Sequence, residues 1–439
     1  MTLRLTVIGT GYLGATHAAC MAELGYEVLG MDIDPAKLSA LSEGRVPFYE
    51  PDLAPLLRKH VESGRLRFTD SFAEVAAFGD VHFLCVGTPQ RAGEYAADLT
   101  YVDAAADGLA AHLDRPCLVV GKSTVPVGTA GRLARRLRDL APAGDDVELA
   151  WNPEFLREGF AVSDTLHPDR LVIGVASEAA EKTLRDIYQP LLDAGVPLVV
   201  ADFPTAELVK VAANAFLATK ISFINAMAEV CEASGADVKL LSEALSHDTR
   251  IGGRFLHAGL GFGGGCLPKD IRAFMARAGE LGADQALTFL KEVDAINMRR
   301  RQRMVDIARE QVDGTFLGRT VGVLGAAFKP NSDDIRDSPA LNVAAMIQLH
   351  GAQVSVYDPK AMDNARRMFP TLRYCENALD ACAGAHLVLH LTEWAEFREM
   401  EPAVLSDVVR ERRIVDGRNA LDPEKWRAAG WVYRALGRP

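Results

Sequence analysis

The sequence predicts an α/β fold in which two doubly wound domains are joined by a long central helix and a small helical region. Short apolar strand patterns alternate with helical patterns over 1–203 and again over 313–439, which is typical of parallel sheets covered on both faces. The stretch 204–312 between them reads as helix and opens with a long run at helical spacing without internal Gly or Pro. We therefore predict three domains with these boundaries.

Composition narrows the class of protein. Hydrophobic residues make up 49% of the 439 residues and the formal net charge is −11, which argues against a general nucleic-acid binder. The seven cysteines are scattered without a CxxC pair, which favours a reducing compartment and argues against a disulfide framework or a zinc site. The N-terminal sequence does not resemble a signal peptide, and no run of roughly 18 apolar residues predicts a membrane span. We expect a soluble, cytoplasmic protein.

The first strand pattern, "LRLTVIG", runs directly into a glycine-rich loop. Gly9, Gly11 and Gly14 form GxGxxG between a strand and a helix, and Asp32 ends the next strand. The first glycine permits a tight turn, the second admits a pyrophosphate to the backbone, and the third lets the helix pack against the sheet. Because an acid at the end of the second strand binds ribose hydroxyls and repels a 2′-phosphate, a Rossmann-like domain that binds NAD is predicted.

Two further strand ends carry hydroxyl side chains. "VGTP" contains Thr88, and "GKSTVPVGT" contains Ser123 and Thr124. Ligands of open α/β sheets bind at the carboxyl ends of strands, so these residues are placed to contact cofactor or substrate. The alternative is that they satisfy backbone groups of ordinary loops. The first strand of the C-terminal domain ends in "GAAFKPNSDDIRDSP", which has no GxGxxG.

A second candidate site is "GFGGGCLPKD", Gly261 to Asp270. Glycines this dense mark a turn or a close backbone approach, and we expect a flexible loop that admits substrate. Cys266 differs from the other cysteines because Lys269, and a helix starting near Pro268, would favour its thiolate. The local sequence leaves a nucleophile and a packing role both open.

Seven motifs in order carry a resemblance to a known family: "GTGYLG", "KSTVPVGT", "NPEFLREG", "HPDR", "ELVKVAANAFLATKISFINAMAEVCE", "GFGGGCLPKD" and "FKPNSDDIRDSP". Together they resemble the nucleotide-sugar dehydrogenases, in particular the UDP-glucose 6-dehydrogenase branch, over nearly the whole chain. The resemblance implies that a sugar C6 alcohol is oxidised to a carboxylate by two NAD. It also implies that the aldehyde is held as a Cys thiohemiacetal and then oxidised to a thioester that water hydrolyses.

The resemblance also implies roles for individual residues. Lys210 and Asn214 are four apart, so they share a helix face, and they match the pair that holds the C6 oxygen. The other implied catalytic residues are Cys266 as nucleophile, Glu154 as the base acting through water, Thr124 as the residue that positions this water, and Asp270 as the acid beside the site.

Binding residues follow from the same motifs. Implied NAD contacts are Gly9, Gly11, Tyr12, Leu13, Gly14, Asp32, Lys37, Thr88, Thr124, Glu158, Lys269 and Arg336. Implied substrate contacts are Glu154, Phe155, Leu156, Arg157, Glu158, Lys210, Asn214, Phe255, Leu256, His257, Ala258, Gly259, Gly263, Lys329 and Arg418. Arg250 matches a residue that reaches the partner's substrate in a homodimer, which we expect to form on the long helix.

Some alternatives remain at this stage. Leu267 stands where the family usually has Phe, and Trp151 stands where a small residue is common. We expect both to tune the fit of sugar or base, which leaves dTDP-glucose, GDP-mannose and UDP-linked amino sugars open as substrates. For Lys329 and Arg336, a local salt network with the neighbouring aspartates is the rival interpretation.

Two other functions compete with the four-electron oxidation. One is a two-electron 3-hydroxyacid dehydrogenase, which shares the N-terminal layout and the long helix but would not depend on Cys266. The other is an NAD-binding regulator without catalytic activity.

Overall fold

A computed structural model of the chain describes residues 3–438, in which two compact units each contain one doubly wound sheet. The first unit comprises the residues up to 213 together with 272–282, and the second comprises 214–271 and the residues from 283 onward. The first two residues and the last residue of the predicted domains lie outside the described range. The predicted α/β class with two doubly wound sheets is confirmed.

The sheet of the first unit has eight strands in the order β3-β2-β1-β4-β5-β6-β7-β8. These strands are β1 (Arg4–Ile8), β2 (Glu27–Met31), β3 (Leu66–Thr69), β4 (Val81–Leu84), β5 (Cys117–Gly121), β6 (Val147–Trp151), β7 (Leu171–Gly174) and β8 (Leu198–Ala201). Their helices are α1 (Tyr12–Glu23), α2 (Pro35–Ser42), α3 (Leu53–Glu62), α4 (Phe72–Phe78), α5 (Thr100–Ala110), α6 (Thr129–Leu140), α7 (Ala161–Leu166) and α8 (Glu178–Asp193). A short 3₁₀ turn, Gly144–Asp146, precedes β6.

One junction in this sheet differs from the predicted parallel arrangement. β6 meets β7 antiparallel through the pair Trp151 and Gly174, whereas β7 and β8 are parallel to each other. Two consecutive strands can pair in parallel only if a crossover connection of about a dozen residues or more, usually an α-helix, joins them. The connection after β6 contains only the six-residue α7, and the chain reverses direction between β6 and β7, one strand in from the sheet edge.

Alternation along the strands gives the sheet an apolar core on each face. Val7 and Phe83 belong to one buried cluster with residues of α1 and α8. Ile8 and Leu84, their neighbours in sequence, belong to another with residues of α5 and α6. Successive side chains of a strand point to opposite faces, so both faces of the central strands are buried. Polar groups are therefore left to the strand ends, where the site residues lie.

Four helices lie between the two sheets in sequence order. They are α9 (Phe203–Ser234), α10 (Val238–Ser246), α11 (Leu267–Glu280) and α12 (Phe289–Glu310), with a 3₁₀ turn at Asp284–Leu287. The predicted long helix is confirmed as α9, which has 32 residues. By length and composition alone α9 could cross a membrane. However, Glu207, Lys210 and Asn225 on α9 are buried and bind other parts of the fold, which is the behaviour of a core helix.

The second unit contains a six-stranded sheet in the order β11-β10-β9-β12-β13-β14, and all its pairs are parallel. The strands are β9 (Thr320–Leu324), β10 (Gln353–Tyr357), β11 (Arg373–Tyr374), β12 (Leu387–His390), β13 (Arg413–Asp416) and β14 (Val432–Ala435). The helices are α13 (Pro339–Leu349), α14 (Met362–Met368), α15 (Ala378–Cys382), α16 (Ala395–Arg398), α17 (Pro402–Ser406) and α18 (Pro423–Ala428).

A buried hydrogen bond between a histidine and an aspartate lies at the carboxyl end of this second sheet. His390 Nδ1 lies 2.8 Å from Asp416 Oδ1, and neither side chain is exposed. Asp416 also accepts hydrogen bonds from the backbone N–H of Arg418 and Leu421 and from the hydroxyl of Tyr433. One carboxylate therefore holds the loop that carries Arg418.

We expect Asp416→Asn to lower the free energy of unfolding by about 3–5 kcal/mol, because removing one partner leaves the other polar groups buried and unpaired. Urea unfolding followed by circular dichroism measures this loss. Asp363→Asn is the matched control, since its ion pair with Arg366 is exposed and such pairs contribute under about 1 kcal/mol. Equal losses in the two variants would contradict the role given to Asp416.

Candidate functional site

The glycine loop after β1 has the geometry that a dinucleotide pyrophosphate needs. Gly9 has φ +87°, and a Cβ on Gly14 would lie 1.9 Å from the carbonyl oxygen of Gly9. A Cβ on Gly11 would meet nothing within 4 Å, so the space beside this residue is open. The N-cap residue of α1 is Gly11, so no N-cap side chain binds the first N–H groups of this helix. The loop therefore fits a phosphate group at a helix N-terminus.

Asp32 lies at the end of β2 beside this loop, as predicted. Its Oδ2 accepts hydrogen bonds from the backbone N–H of Thr10 at 2.8 Å and from Lys37 Nζ at 2.8 Å, and its Oδ1 accepts from the N–H of Asp34. Burial acts to raise the pKa of Asp32, but Lys37 and these N–H groups hold it below its usual value. The ionised carboxylate suits the ribose hydroxyls of NAD and disfavours the extra phosphate of NADP.

The strand-end loops after β4 and β5 are tied together. The hydroxyl of Thr88 donates to the carbonyl of Thr124 at 2.8 Å, and the hydroxyl of Ser123 donates to the carbonyl of Val86 at 2.6 Å. Both hydroxyls thus satisfy backbone groups, as the rival interpretation expected. That Thr88 and Thr124 also contact ligands stays a prediction.

Two predicted catalytic residues of the first unit form a largely buried ion pair. Glu154 follows β6 by three positions, and its Oε1 lies 2.9 Å from Lys210 Nζ on α9. Lys210 is 5% exposed. The other carboxylate oxygen accepts the backbone N–H of Leu156 at 2.9 Å, and the ring of Phe155 lies 5.6 Å from Lys210 Nζ. The fold therefore joins residues that are 56 positions apart in sequence.

The rest of the "NPEFLREG" segment is held against the glycine loop. Gly159 donates its backbone N–H to the hydroxyl of Tyr12 at 2.9 Å and to Glu50 Oε2 at 2.6 Å, which fixes the position of the neighbouring, buried Glu158. Arg157 instead pairs with Asp164 at the surface. The sequence analysis did not identify Glu50, which is buried although it lies in a loop.

In the second unit the glycine run is closely packed. A Cβ on Gly265 would lie 2.2 Å from Arg336 Cζ, and one on Gly263 would lie 2.3 Å from the carbonyl oxygen of Asp337. The backbone N–H of Gly264 also donates to the carbonyl of Arg336 at 2.8 Å. The expectation of a flexible loop is therefore wrong, because Gly263 allows two backbone segments to approach closely and Gly264 is hydrogen-bonded to one of them.

Cys266 is exposed and directly precedes α11, whose N-terminus favours a thiolate. One turn further, Asp270 is 1% exposed and donates its N–H to the carbonyl of Cys266. The carboxylate of Asp270 accepts from Asn214 Nδ2 at 2.6 Å and from Lys269 Nζ at 2.5 Å. The second unit thus gathers four of the predicted residues at the start of one helix.

Only part of the predicted substrate loop 255–259 is exposed. Phe255 has a positive φ of 66°, and His257 is exposed. The side chains of Leu256 and Ala258 pack into a buried apolar cluster, so only their backbone atoms are available to a ligand. The N–H of Gly259 donates to Asn225 Oδ1 at 2.8 Å.

Four predicted cationic contacts have partners inside the second unit. Arg418 donates to the carbonyls of Leu391, Gly261 and Phe328. Arg336 pairs with Asp334 at 2.7 Å, as the salt-network alternative expected, and Lys329 Nζ lies over the ring of Phe328. Arg250 is exposed and pairs with Asp248. Ligand contacts by these residues stay predictions.

Trp151 does not behave as expected. Its side chain is buried in the apolar core of the first unit, and a Cβ on Gly121 would lie 2.1 Å from its ring. The expectation that Trp151 tunes the fit of sugar or base is therefore wrong, since the bulky ring fills space that a glycine on β5 leaves.

The sequence analysis also missed a buried polar cluster made by Lys122, Asn152 and Tyr188. The only signal for it was a lysine at the end of an apolar strand.

Three family models describe successive parts of the chain. The models of the UDP-glucose/GDP-mannose dehydrogenase family match with the NAD binding domain at 3–192, the central domain at 204–299 and the UDP binding domain at 322–423.

Curated relatives match over the full length. The UDP-glucose 6-dehydrogenase of Rhizobium meliloti (strain 1021) is 42% identical over 100% of both chains. The UDP-glucose 6-dehydrogenase TuaD of Bacillus subtilis (strain 168) is 42% identical over 99% of this chain and 93% of its own length.

Solved structures agree with these matches. A UDP-glucose dehydrogenase from Pyrobaculum islandicum is 38% identical and has a TM-score of 0.92, with 100% of this chain and 98% of that chain covered. A 3-hydroxyisobutyrate dehydrogenase of Mycobacterium tuberculosis shares only the fold, at 17% identity, a TM-score of 0.50 and coverage of 70% of this chain and 95% of that one. The chain therefore belongs to the UDP-glucose/GDP-mannose dehydrogenase family.

Proposed function

We propose that this protein oxidises the C6 alcohol of UDP-glucose to the carboxylate of UDP-glucuronate, with two NAD used in each turnover. The full-length similarity to UDP-glucose 6-dehydrogenases, at 42% identity to the Rhizobium meliloti protein, carries this proposal. The ion pair between Glu154 and Lys210 supports it. This pair brings together the proposed base for thioester hydrolysis, the carboxylate of Glu154, and the proposed donor to the C6 oxygen, the ammonium of Lys210.

NAD held at the glycine loop after β1 would supply the hydride acceptor for both oxidation steps at C6 of the sugar. Gly11 leaves room for its pyrophosphate at the N-terminus of α1, Gly9 and Gly14 allow the tight turn and the close packing of that helix, and Asp32 binds a ribose. These residues orient the cofactor, and the acid selects NAD over NADP.

Lys210 and Asn214 stabilise negative charge on the C6 oxygen. The ammonium of Lys210 is fixed by Glu154, and the amide of Asn214 is fixed by Asp270. Both donors are therefore held in place before substrate arrives, so little free energy is lost in orienting them.

Cys266 forms the covalent intermediates in this proposal. Its thiolate attacks the C6 aldehyde carbon to give a thiohemiacetal, and loss of hydride from that carbon leaves a thioester. Glu154 then takes a proton from a water molecule positioned by Thr124. The water oxygen attacks the thioester carbon and the carbon–sulfur bond breaks, which releases the Cys266 thiolate. The new carboxyl group loses the second water proton to solvent and leaves as the sugar carboxylate.

We favour UDP-glucose over the other nucleotide sugars. A UDP-D-ManNAc dehydrogenase structure from Pyrococcus horikoshii is 27% identical to this chain with a TM-score of 0.86, below the values for the UDP-glucose dehydrogenase of Pyrobaculum islandicum.

We further propose a cytoplasmic homodimer with the predicted three-domain division. Phe216, Phe223 and Val230 recur every seven residues on α9 and are 67%, 48% and 57% exposed, so they form one apolar stripe on the helix. In this dimer we propose that Arg250 contacts the partner's substrate, as the family resemblance implies. None of the cysteines in residues 3–438 forms a disulfide, which suits a reducing compartment.

We expect two NADH for each UDP-glucose consumed, because a thioester requires a second hydride transfer. Stopped-flow absorbance with limiting substrate measures the ratio, and a parallel panel of dTDP-glucose, GDP-mannose and UDP-linked amino sugars measures selectivity. A ratio near one would instead support a two-electron dehydrogenase, and NAD binding without turnover of any sugar would support a regulator.

Glu154→Gln is expected to accumulate the covalent thioester and to lower kcat by about 10²–10⁴, the contribution of a general base. Mass spectrometry of the acid-quenched variant should show the sugar adduct on Cys266. Cys266→Ser should show no adduct and stop after the first oxidation, and the exposed Glu376→Gln should behave as wild type. An unmodified mass for Glu154→Gln would contradict the role of Glu154.

The dimer predicts complementation between two inactive variants. Arg250→Ala and Cys266→Ser each remove activity alone, but a heterodimer contains one site with an intact Cys266 and the partner's Arg250. Random assortment then restores about a quarter of wild-type activity, measured after mixing and refolding the two proteins together. The double variant Phe216→Glu, Phe223→Glu should sediment as a monomer, unlike Leu349→Glu. No recovery of activity on mixing would contradict a shared site.

A further inference from the structure

A buried lysine joins the two strand ends that carry Thr124 and Glu154. Lys122 directly follows β5 and is 6% exposed. Its Nζ donates to Asn152 Oδ1 at 2.8 Å, and the hydroxyl of Tyr188 donates to the same oxygen at 2.6 Å. The amide nitrogen of Asn152 donates to the carbonyl of Val172 at 2.8 Å. One side chain, that of Asn152, is therefore fixed from three directions.

The charge of Lys122 is costly for folding. Its ammonium donates to a neutral amide, and burial lowers the pKa of Lys122 to about 8 from the usual 10.5. Cys85 and Glu154 act to raise this pKa, and Lys210 acts to lower it. An apolar side chain of similar length would fill the same space without desolvating a charge.

The neighbours of Lys122 reflect the same cost. Its Nζ lies 5.9 Å from the ring of Phe83, and His17 packs against that ring at 4.5 Å. Burial, with a contribution from Lys122, lowers the pKa of His17 well below its usual value. The ammonium thus sits in the core beside a histidine that is kept neutral. Packing alone does not account for a charge at this position.

The polar cluster of Lys122, Asn152 and Tyr188 adjoins the catalytic edge of the first unit. Lys122 is two residues before Thr124, and Asn152 is two residues before Glu154. The backbone pairs Asn152 with Gly121 at 2.8 Å and Lys122 with Leu84 at 2.9 Å. The contact between Lys122 and Asn152 therefore spans the two segments whose relative placement decides whether a water held by Thr124 meets the carboxylate of Glu154.

We infer that Lys122 is a positioning residue for thioester hydrolysis, acting through Asn152 to hold Glu154 in register with Thr124. The inference rests on the proposed function, because hydrolysis of a thioester is the step that it serves. It assigns the buried charge to the second half of the reaction and leaves binding and the first oxidation to other residues.

The test compares Lys122→Met with Lys182→Met, an exposed lysine on α8, and with Lys122→Gln, which keeps a donor at the position. For Lys122→Met we expect kcat to fall by about 10- to 100-fold, the cost of a misplaced catalytic group. The KM values for UDP-glucose and NAD should stay within about twofold. The rate of the first NADH burst should be unchanged, and the Cys266 adduct should accumulate. Lys122→Gln should recover part of the lost rate.

Stability provides the readout that separates this role from a structural one. The unfolded chain binds the Lys122 proton up to about pH 10.5 and the folded chain only to about pH 8, so wild-type stability rises relative to Lys122→Met between these values. We therefore expect the variant to have an equal or higher Tm at pH 7. Its Tm advantage should shrink as the pH is raised through this window.

Three outcomes would overturn the inference: an unchanged kcat, a kcat loss accompanied by a lower Tm at pH 7, or a slowed first NADH burst. If wild type yields two NADH and Glu154→Gln traps an adduct while Lys122→Met hydrolyses normally, only the inference fails. If wild type yields one NADH, the proposed function fails and the inference fails with it.

Discussion

A lysine ammonium on the buried face of an apolar helix needs a carboxylate, and the pairing of Lys210 with Glu154 meets this need. The pair has an N–O distance of 2.9 Å with both side chains largely buried. Breaking such a pair leaves an uncompensated charge in the interior. It therefore constrains two elements at once: the register of α9 and the path of the loop after β6. Most of the described contacts of the first unit's catalytic edge either make this pair or support the segments that carry it.

Backbone packing imposes the corresponding constraint in the second unit. Gly263 accepts the loop after β9 at a distance that any Cβ would block, and the N–H of Gly264 donates to a carbonyl of the same loop. This contact leads the chain into α11, where Cys266 precedes the first turn and Asp270 is held by Asn214 and Lys269. The glycine run therefore helps to position the cysteine, because the close approach of the two loops fixes the start of α11, which presents the thiol.

Local patterns predicted much of this fold. GxGxxG, Asp32 and the long helix depend on spacings within one or two elements, and the structure shows all three. The two sheets followed from alternation, although β3 and β11, with four and two residues, are too short to show a pattern. The antiparallel junction at Trp151 was not predictable, since it depends on how much helix the next connection contains.

The spacing of residues in the sequence could not predict the long-range polar contacts. Lys210 and Glu154 are 56 positions apart, and only the family resemblance suggested a common role. Arg418 was assigned to a ligand, but its guanidinium also meets three backbone carbonyls, which no sequence pattern reports. Lys122 looked like part of a loop motif, and its burial depends on α8, which follows much later in the chain.

The central claim is that Glu154 and Lys210 act as one unit, and a double-mutant cycle tests it most directly. Steady-state kcat/KM for UDP-glucose would be measured for Glu154→Gln, Lys210→Met and the double variant. Substitutions of residues that act as a unit have strongly non-additive effects on kcat/KM. The account therefore predicts that kcat/KM of the double variant is no lower than that of the less active single variant. Losses that multiply would show that the two side chains act independently and would contradict the account.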